Sequence, residues 1–518
     1  MNASCTDVLI VGAGPTGLVL ALWLTRQGVK VRIVDKDDAK ASTSRALVIH
    51  SRTLELYRQL DLAEKVVANG HKIEATNIWS EGSHRGHVPL GDVGSGLTPY
   101  PFLHIYPQDR HEPLLEKRLN ELGVQVERHK ELVDFTEHDS SIMARFRDTT
   151  KPSSPDQDTE LETYEATFIA GCDGSHSVVR RSCGIEFEGE THKQSFFVAD
   201  IEGSGPVLNG EAHVTFNQSD ILLTLAYDKG RRGRLNGVID QKNFTKDISE
   251  LTLDDISQDT IKKMKLQIDK VNWFTAYHVH HRLSQSFRKG RAFLVGDAGH
   301  IHSPVGGQGM NTGIGDAINL AWKLATVVQG RADPSLLDTY ESERRAFATS
   351  LVHTTDKAFN FLATEGFFAS FLRTWLIPMI MPFLTKFRFV RHNMFSRISQ
   401  ILINYRHSTL SAGSTGLVQG GDRMPWAPVG EVDNFDSLKA ITWQVHVYGA
   451  AKDELTQWCQ SMKIPLHAFP WHDEYQRVGL ATNAAYLIRP DTYIAVAEAS
   501  GLPERFDQYL KDNNLRLT

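Results

Sequence analysis

Four short stretches of this chain carry residue types suited to holding a nucleotide. The first, Gly12-Ala13-Gly14-Pro15-Thr16-Gly17, follows the apolar run DVLIV and precedes a helical pattern. A strand ending in glycines just before a helix brings bare backbone and unpaired helix N–H groups to one spot, where a pyrophosphate fits. Gly12 permits the tight turn, Gly14 the approach of phosphate, and Gly17 the packing of helix on strand. Asp35 closes the next strand, VKVRIVD, and can accept from ribose hydroxyls. The second and third stretches are Asp173-Gly174 and Gly296-Asp297, each behind a predicted strand. An Asp at the carboxyl end of such a strand faces the ligand crevice of an open α/β sheet. The plainer reading of either is a helix cap or turn former. The fourth stretch is V-G-G-Q-G-M-N (305–311), directly before a predicted helix over 312–328. There the glycines bring the backbone close to something, and the helix start points amide donors and the positive end of a dipole at it.

Other chemistry is missing from the sequence. It has no H-E-x-x-H, no G-x-S-x-G and no C-x-x-C. His300 and His302 flank Ile301 with no third ligand suitably spaced, so no metal is expected. The HVHH run (278–281) reads as a strand face. The four cysteines are scattered, which suits a reducing, cytoplasmic setting. A net charge of -6 implies no basic face and argues against nucleic acid.

The elements that must position these residues alternate at first: strand, helix, strand, then a helix over 52–70, another at 110–123 and a strand at 124–128. From 186 to 285 short alternating segments separated by turn residues predict an antiparallel sheet. Strand RAFLVGD returns at 291, and 335–415 reads as mostly helical. The tail carries strands at TWQVHVYG and TYIAVAE. At 518 residues several domains are expected. The start, VLIVGAGPTGLVLALWL (8–24), lacks a basic leader and reads as strand-turn-helix, not a signal peptide. FFASFLRTWLIPMIMPFL (367–384) is broken by Arg373, Pro378 and Pro382, so two short helices packed on the protein are expected. No integral span follows; peripheral membrane contact is the alternative.

In combination and in this order, the stretches resemble single-component FAD-dependent aromatic hydroxylases of the para-hydroxybenzoate hydroxylase and phenol hydroxylase superfamily. The matching residues are GAGPTG (12–17), SRALVIHSRTLE (44–55), YPQDRHEPLLE (106–116), GCDGSHSVVRR (171–181) and GRAFLVGDAGHIHSPVGGQGMNTGIGDAINLAWKLA (290–325). LLDTYESERR (336–345) and RISQILINYRHSTL (397–410) extend the likeness. The tail resembles the thioredoxin-like third domain of the polyketide hydroxylase branch, with LIRPDTYIAVAE (487–498) as its signature but no dithiol.

The resemblance implies an α/β fold in five parts. A Rossmann-type FAD-binding domain spans 1–185 and 286–360, with 76–100 contributing to the substrate domain. The antiparallel-sheet substrate domain is inserted at 186–285. A helical region covers 361–415, and a thioredoxin-like domain, structural or an oligomer contact, covers 416–518. It further implies that Gly12, Gly14 and Gly17 meet the FAD pyrophosphate and Asp35 the adenosine ribose. Arg45 and Gln108 fall at the phosphate and ribityl region, and Asp297 on the ribityl chain. Asp173 and Gly174 belong to a motif tied to FAD and pyridine nucleotide. Gly309, Met310 and Asn311 would meet the pyrimidine edge of the flavin. Leu47, Val48 and Pro304 would line the substrate space, with no acid, base or nucleophile assigned as catalytic. His50 and Arg52 read as solvated or packing residues, and Phe196, Phe197, Phe216 and Tyr227 as ceiling or core. The implied activity is NAD(P)H- and O2-dependent hydroxylation of a phenolic or polyketide-like aromatic compound through a C4a-hydroperoxyflavin, by a monomer or homodimer. Epoxidation or Baeyer–Villiger oxidation is the alternative within the family. A nicotinamide dehydrogenase using the first fingerprint alone, or a non-catalytic FAD-fold carrier, stands outside it.

Overall fold

The computed structural model describes residues 6–38, 46–91, 93–151, 161–217, 221–227, 230–239, 246–256, 258–363 and 375–517. At its centre the strand β1 (Thr6–Val11) pairs in parallel with β2 (Val31–Val34) on one side and with Glu162–Gly171 on the other. Ala292–Leu294 and Val126–Glu127 extend the parallel sheet at its two ends. Val8, Leu9 and Ile10 are fully buried, as a strand covered on both faces requires. The helix α1 (Pro15–Arg26) begins with Pro at its first position, where a missing N–H costs nothing.

A second sheet of eight strands stands beside the first. Its order runs His300–Ile301, Gln267–Ser284, Phe187–Ser204, Arg232–Ile239, Ile221–Ala226, Ala212–Phe216, Ala75–Ser80, Ser83–Pro89. All pairs are antiparallel except Ala212–Phe216 with Ala75–Ser80. Phe187–Ser204 is one 18-residue strand. It stays in one ladder because bulges after Thr191 and Asp200 let it bend. Phe197 stacks on Phe274 in the core of this sheet, and Phe216 is buried with Ile78 and Val88.

Two helices differ from expectation. The stretch 52–70 is broken: Ser51–Tyr57 and a 3-10 turn Arg58–Leu60 end at Asp61, and a new helix runs Ala63–Asn69. Asp61 takes a left-handed φ of 58°, and the Leu62 amide bonds back to the Tyr57 carbonyl at 3.0 Å. That closure ends a helix without needing glycine. The long helix after the glycine loop begins at Gln308, not 312, and runs to Val328.

Residues 444–498 form a four-stranded sheet, ordered Leu466–Phe469, Gln444–Tyr448, Ala485–Ile488, Ile494–Glu498, with helices Asp453–Ser461 and Glu504–Asp512. Buried charges bind this unit to the first. The Arg489 guanidinium, fully buried, donates to Glu343 (2.7 and 3.0 Å) and Asp491 (2.9 and 2.6 Å). Lys323 reaches the same Glu343 at 2.9 Å, and Trp322 donates to Asp491 at 3.0 Å. Arg52 is part of this seam, not solvated: it donates to the Asp491 carbonyl and Thr492 Oγ1. Opposed charges removed from water persist only when mutually hydrogen-bonded, and these are. Among the described residues no helix is long and apolar enough to cross a membrane.

Candidate functional site

The three glycines of the first fingerprint do three different things. Gly12 has φ of 101°, and a Cβ there would stand 2.3 Å from the Cys172 carbonyl oxygen. A Cβ on Gly17 would stand 1.9 Å from the Gly12 oxygen. Both positions are glycine because chains touch. At Gly14 nothing lies within 4 Å of the same point, and no side chain caps the helix that starts there. The turn thus leaves a bare opening in front of a helix N-terminus, the shape and polarity a phosphate needs. Asp35 sits at the lip of this turn, where its carboxylate accepts from the Ala13 amide at 2.6 Å and the Asp37 amide at 2.9 Å.

The remaining stretches converge on the same end of the sheet. The Val295 amide bonds to the Gly171 carbonyl at 3.0 Å, so the turns carrying Asp173 and Asp297 lie side by side. Asp173 caps a short helix: its Oδ2 accepts from Val178 at 2.7 Å and Val179 at 3.2 Å, while buried Oδ1 has no partner. Burial raises this carboxyl, opposed by the bond to Ser177. Gly174 takes a left-handed φ of 74° with open space around it. Asp297 lies in the turn Gly296–Ala298 with its side chain exposed.

The long helix is brought against this turn by small residues. A Cβ on Gly313 would stand 2.4 Å from Thr16 Oγ1, and one on Gly296 3.0 Å from the same atom. Thr16 lies in the first turn of α1 and Gly313 in the second turn of the long helix, so two positive helix ends share one crevice. Gly306 and Gly307 take left-handed φ values of 79° and 62°, and no side chain caps the helix they lead into.

Asn311 is an anchor through its side chain. Its Nδ2 donates to the carbonyls of Val48 (2.9 Å) and Gly307 (3.0 Å), and its Oδ1 accepts from the His50 amide (2.9 Å) and Thr53 hydroxyl (2.8 Å). This fastens the segment of Leu47 and Val48 to the glycine loop. Leu47 itself is buried with Ile73 and Ile105. His50, held near pH 4 by burial, donates to the Gly306 carbonyl at 3.2 Å from beneath. Gln108 clamps the start of the same segment, accepting from the Ala46 amide at 3.1 Å. Arg45 lies outside the described residues.

Three further contributors, Gln308, Asp316 and His302, carry roles that the sequence does not assign to them. Gln308 is buried and donates to the Ile398 carbonyl at 3.0 Å while accepting from Gln400 at 2.7 Å. Asp316 accepts from His300 (2.7 Å), Arg344 (2.6 Å) and the Gly296 amide (3.1 Å), and so sets the turn that carries Asp297. Burial raises the Asp316 carboxyl, but Arg344 and His300 outweigh it and hold it below its usual value. His302 is held near pH 4 by burial and by His300. Its Nδ1 donates to the Ser303 carbonyl at 2.8 Å, which leaves Nε2 a bare acceptor. That acceptor points to within 3.8 Å of where a Gly309 Cβ would be. Among the described residues no cluster of three or more His, Cys, Asp or Glu forms a metal site.

Against this geometry stand the likenesses to known proteins. A family model described as FAD binding domain matches residues 5–355. The 6-methylpretetramide 4-monooxygenase of Streptomyces rimosus is 33% identical, covering 95% of this chain and 91% of that protein. A flavin-dependent monooxygenase of Mycobacteroides abscessus is 30% identical, covering 95% and 97%. The structure of the anhydrotetracycline hydroxylase OxyS from Streptomyces rimosus superimposes with a TM-score of 0.77 at 25% identity, covering 98% of each chain.

Proposed function

Because this chain belongs to the FAD binding domain family and is an FAD-dependent monooxygenase, we propose that it hydroxylates a phenolic or polyketide-like aromatic compound with NAD(P)H and O2. Bound FAD would supply the redox chemistry, with two electrons from NAD(P)H, one oxygen atom of O2 going to the substrate and the other to water. The observation that carries the reading is the opening at Gly14 together with two uncapped helix ends around Asp297. Two similar enzymes are a 6-methylpretetramide and a pentachlorophenol monooxygenase, and both of those substrates are aromatic, which supports the substrate class.

In this reading the amides behind Gly14 bind the pyrophosphate, Asp35 the ribose and Asp297 the ribityl chain. Asp173 and Gly174 border the same crevice. The amides of Gly309, Met310 and Asn311 would meet the flavin's pyrimidine edge and would favour its reduced, anionic form. Preorganised donors of this kind contribute on the order of 3 kcal/mol. Val48 and Pro304 flank the loop where substrate would stand, and Leu47 packs behind them. His302 offers its Nε2 acceptor to a hydroxyl or N–H at that place. The long antiparallel sheet roofs the substrate and keeps water out.

The domain division we propose assigns 1–185 and 286–360 to FAD and 186–285, with strands from 75–89, to substrate. The helical connection assigned to 361–415 rests on the helices Ile377–Leu384 and Arg388–Ile398. Residues 416–518 form a thioredoxin-like module that is structural: its Cys459 is buried and free. The test is to purify the protein and follow NAD(P)H consumption over aromatic and polyketide compounds, with mass spectrometry of products. A gain of one oxygen on a ring supports the proposal. Ring-expanded esters or epoxides would move the reaction class, and no substrate-stimulated NAD(P)H oxidation would remove it.

A further inference from the structure

The helix Ile377–Leu384 is apolar all round but covered on one face only. Ile377 and Met381 pack against Ile78, Val88 and Phe216 at the edge of the long sheet, and Pro382 lies over Gly86. Among the described residues nothing covers the opposite face: Trp375, Met379, Phe383, Phe387 and Phe389 each leave more than half of their surface in water. Of the large hydrophobic side chains exposed among the described residues, eight fall within 375–394. Such clustering marks a docking surface.

Charge identifies what docks. Residues 366–405 contain five Lys or Arg and no carboxylate, in a chain with 62 acids against 56 bases. Lys386, Arg388 and Arg397 are exposed and have no carboxylate partner among the described residues, and Arg85 extends the rim from the sheet edge beside the Trp375 ring. An apolar, aromatic centre ringed by uncompensated cations matches an anionic lipid surface, whose acyl region accepts Phe and Trp and whose headgroups accept Lys and Arg. A second copy fits poorly, because a two-fold contact sets this rim against itself, like charge to like.

We propose that this face, Trp375 to Arg397 with Arg85, docks the protein peripherally on anionic membranes. The docking is independent of flavin and of the reaction. It places the edge of the long sheet at the apolar phase, where a polycyclic aromatic compound partitions.

The test is co-sedimentation of the FAD-loaded protein with vesicles of phosphatidylglycerol and phosphatidylcholine in equal parts, against phosphatidylcholine alone. Wild type is expected to sediment with the anionic vesicles and to be released by 0.5 M salt on the order expected for screened cations. Lys386→Gln with Arg388→Gln should weaken binding roughly 25-fold, about fivefold for each cation removed. Phe383→Ser with Phe389→Ser should abolish it, at unchanged flavin content and melting temperature, while Lys452→Gln on the far unit has no effect. No co-sedimentation of wild type would overturn the proposal. So would vesicle binding that ignores both double variants, or a dimer in equilibrium sedimentation that the phenylalanine variant dissolves without any vesicle binding.

Discussion

Replacing each fingerprint glycine by valine should separate binding from folding. Gly14 has φ of −71° and ψ of −178°, a conformation valine adopts freely, and its missing side chain points into open space. As an N-cap, glycine is better than valine by about 1 kcal/mol, which is small against a chain of this size. Gly14→Val should therefore leave the flavin-free protein folded, with its melting temperature within about 2 °C of wild type. The valine would occupy the pyrophosphate's place. Losing two charge-assisted N–H bonds at about 1.5–3 kcal/mol each raises the FAD dissociation constant at least about 100-fold. Gly17→Val instead drives a Cβ to 1.9 Å from the Gly12 oxygen, so α1 must lift off the strand and the flavin-free protein itself must unfold more easily. Flavin-free protein would be prepared for both, melted by circular dichroism, and titrated with FAD by fluorescence quenching. Wild-type FAD affinity in Gly14→Val, or equal damage to both flavin-free forms, would refute the argument.

Asp297→Ala should purify largely without flavin; full, tightly held FAD in that variant would remove the ribityl role. Arg489→Met leaves Glu343 and Asp491 buried with one cation fewer, at a cost of about 3–5 kcal/mol. Limited proteolysis should then release residues beyond about 416, and an uncut chain with unchanged melting would contradict the seam. Acid should destabilise the fold through buried imidazoles. His50, His104, His213 and His302 sit near pH 4 and His111 near 3, all below the usual 6.5 because burial disfavours charge. Since the folded values are depressed, the unfolded chain binds protons first. Their stabilisation is whole above pH 6.5 and is lost as pH falls towards 4, with roughly four protons taken up on unfolding near pH 5. A melting temperature level from pH 7 to 5 would contradict this.

What the sequence made legible is local. Strand, glycine turn and helix at 6–26 follow from neighbours a few residues apart, and Gly12, Gly14 and Gly17 read as three separate tasks for that reason. The start of the long helix lies four residues before the position that propensity predicts, because Gly309 reads as loop when propensity alone is weighed. In the fold, the left-handed turn ends at Gly307 and the helix takes Gly309 into its first turn. The break at Asp61 was hidden by an apolar spacing that continues through it. The partners of Asp316, His302 and Arg489 were not legible at all. Arg489 and Glu343 are 146 residues apart, and a buried charge shows its necessity only once its counter-charge is seen.

The most direct measurement is the structure of the purified protein with FAD bound. The FAD should lie with the pyrimidine edge of its isoalloxazine on the amides of Gly309–Asn311, its pyrophosphate at Gly14 and its ribityl chain beside Asp297. A flavin seated elsewhere, or side chains filling that crevice in a protein that takes up no FAD, would contradict that placement.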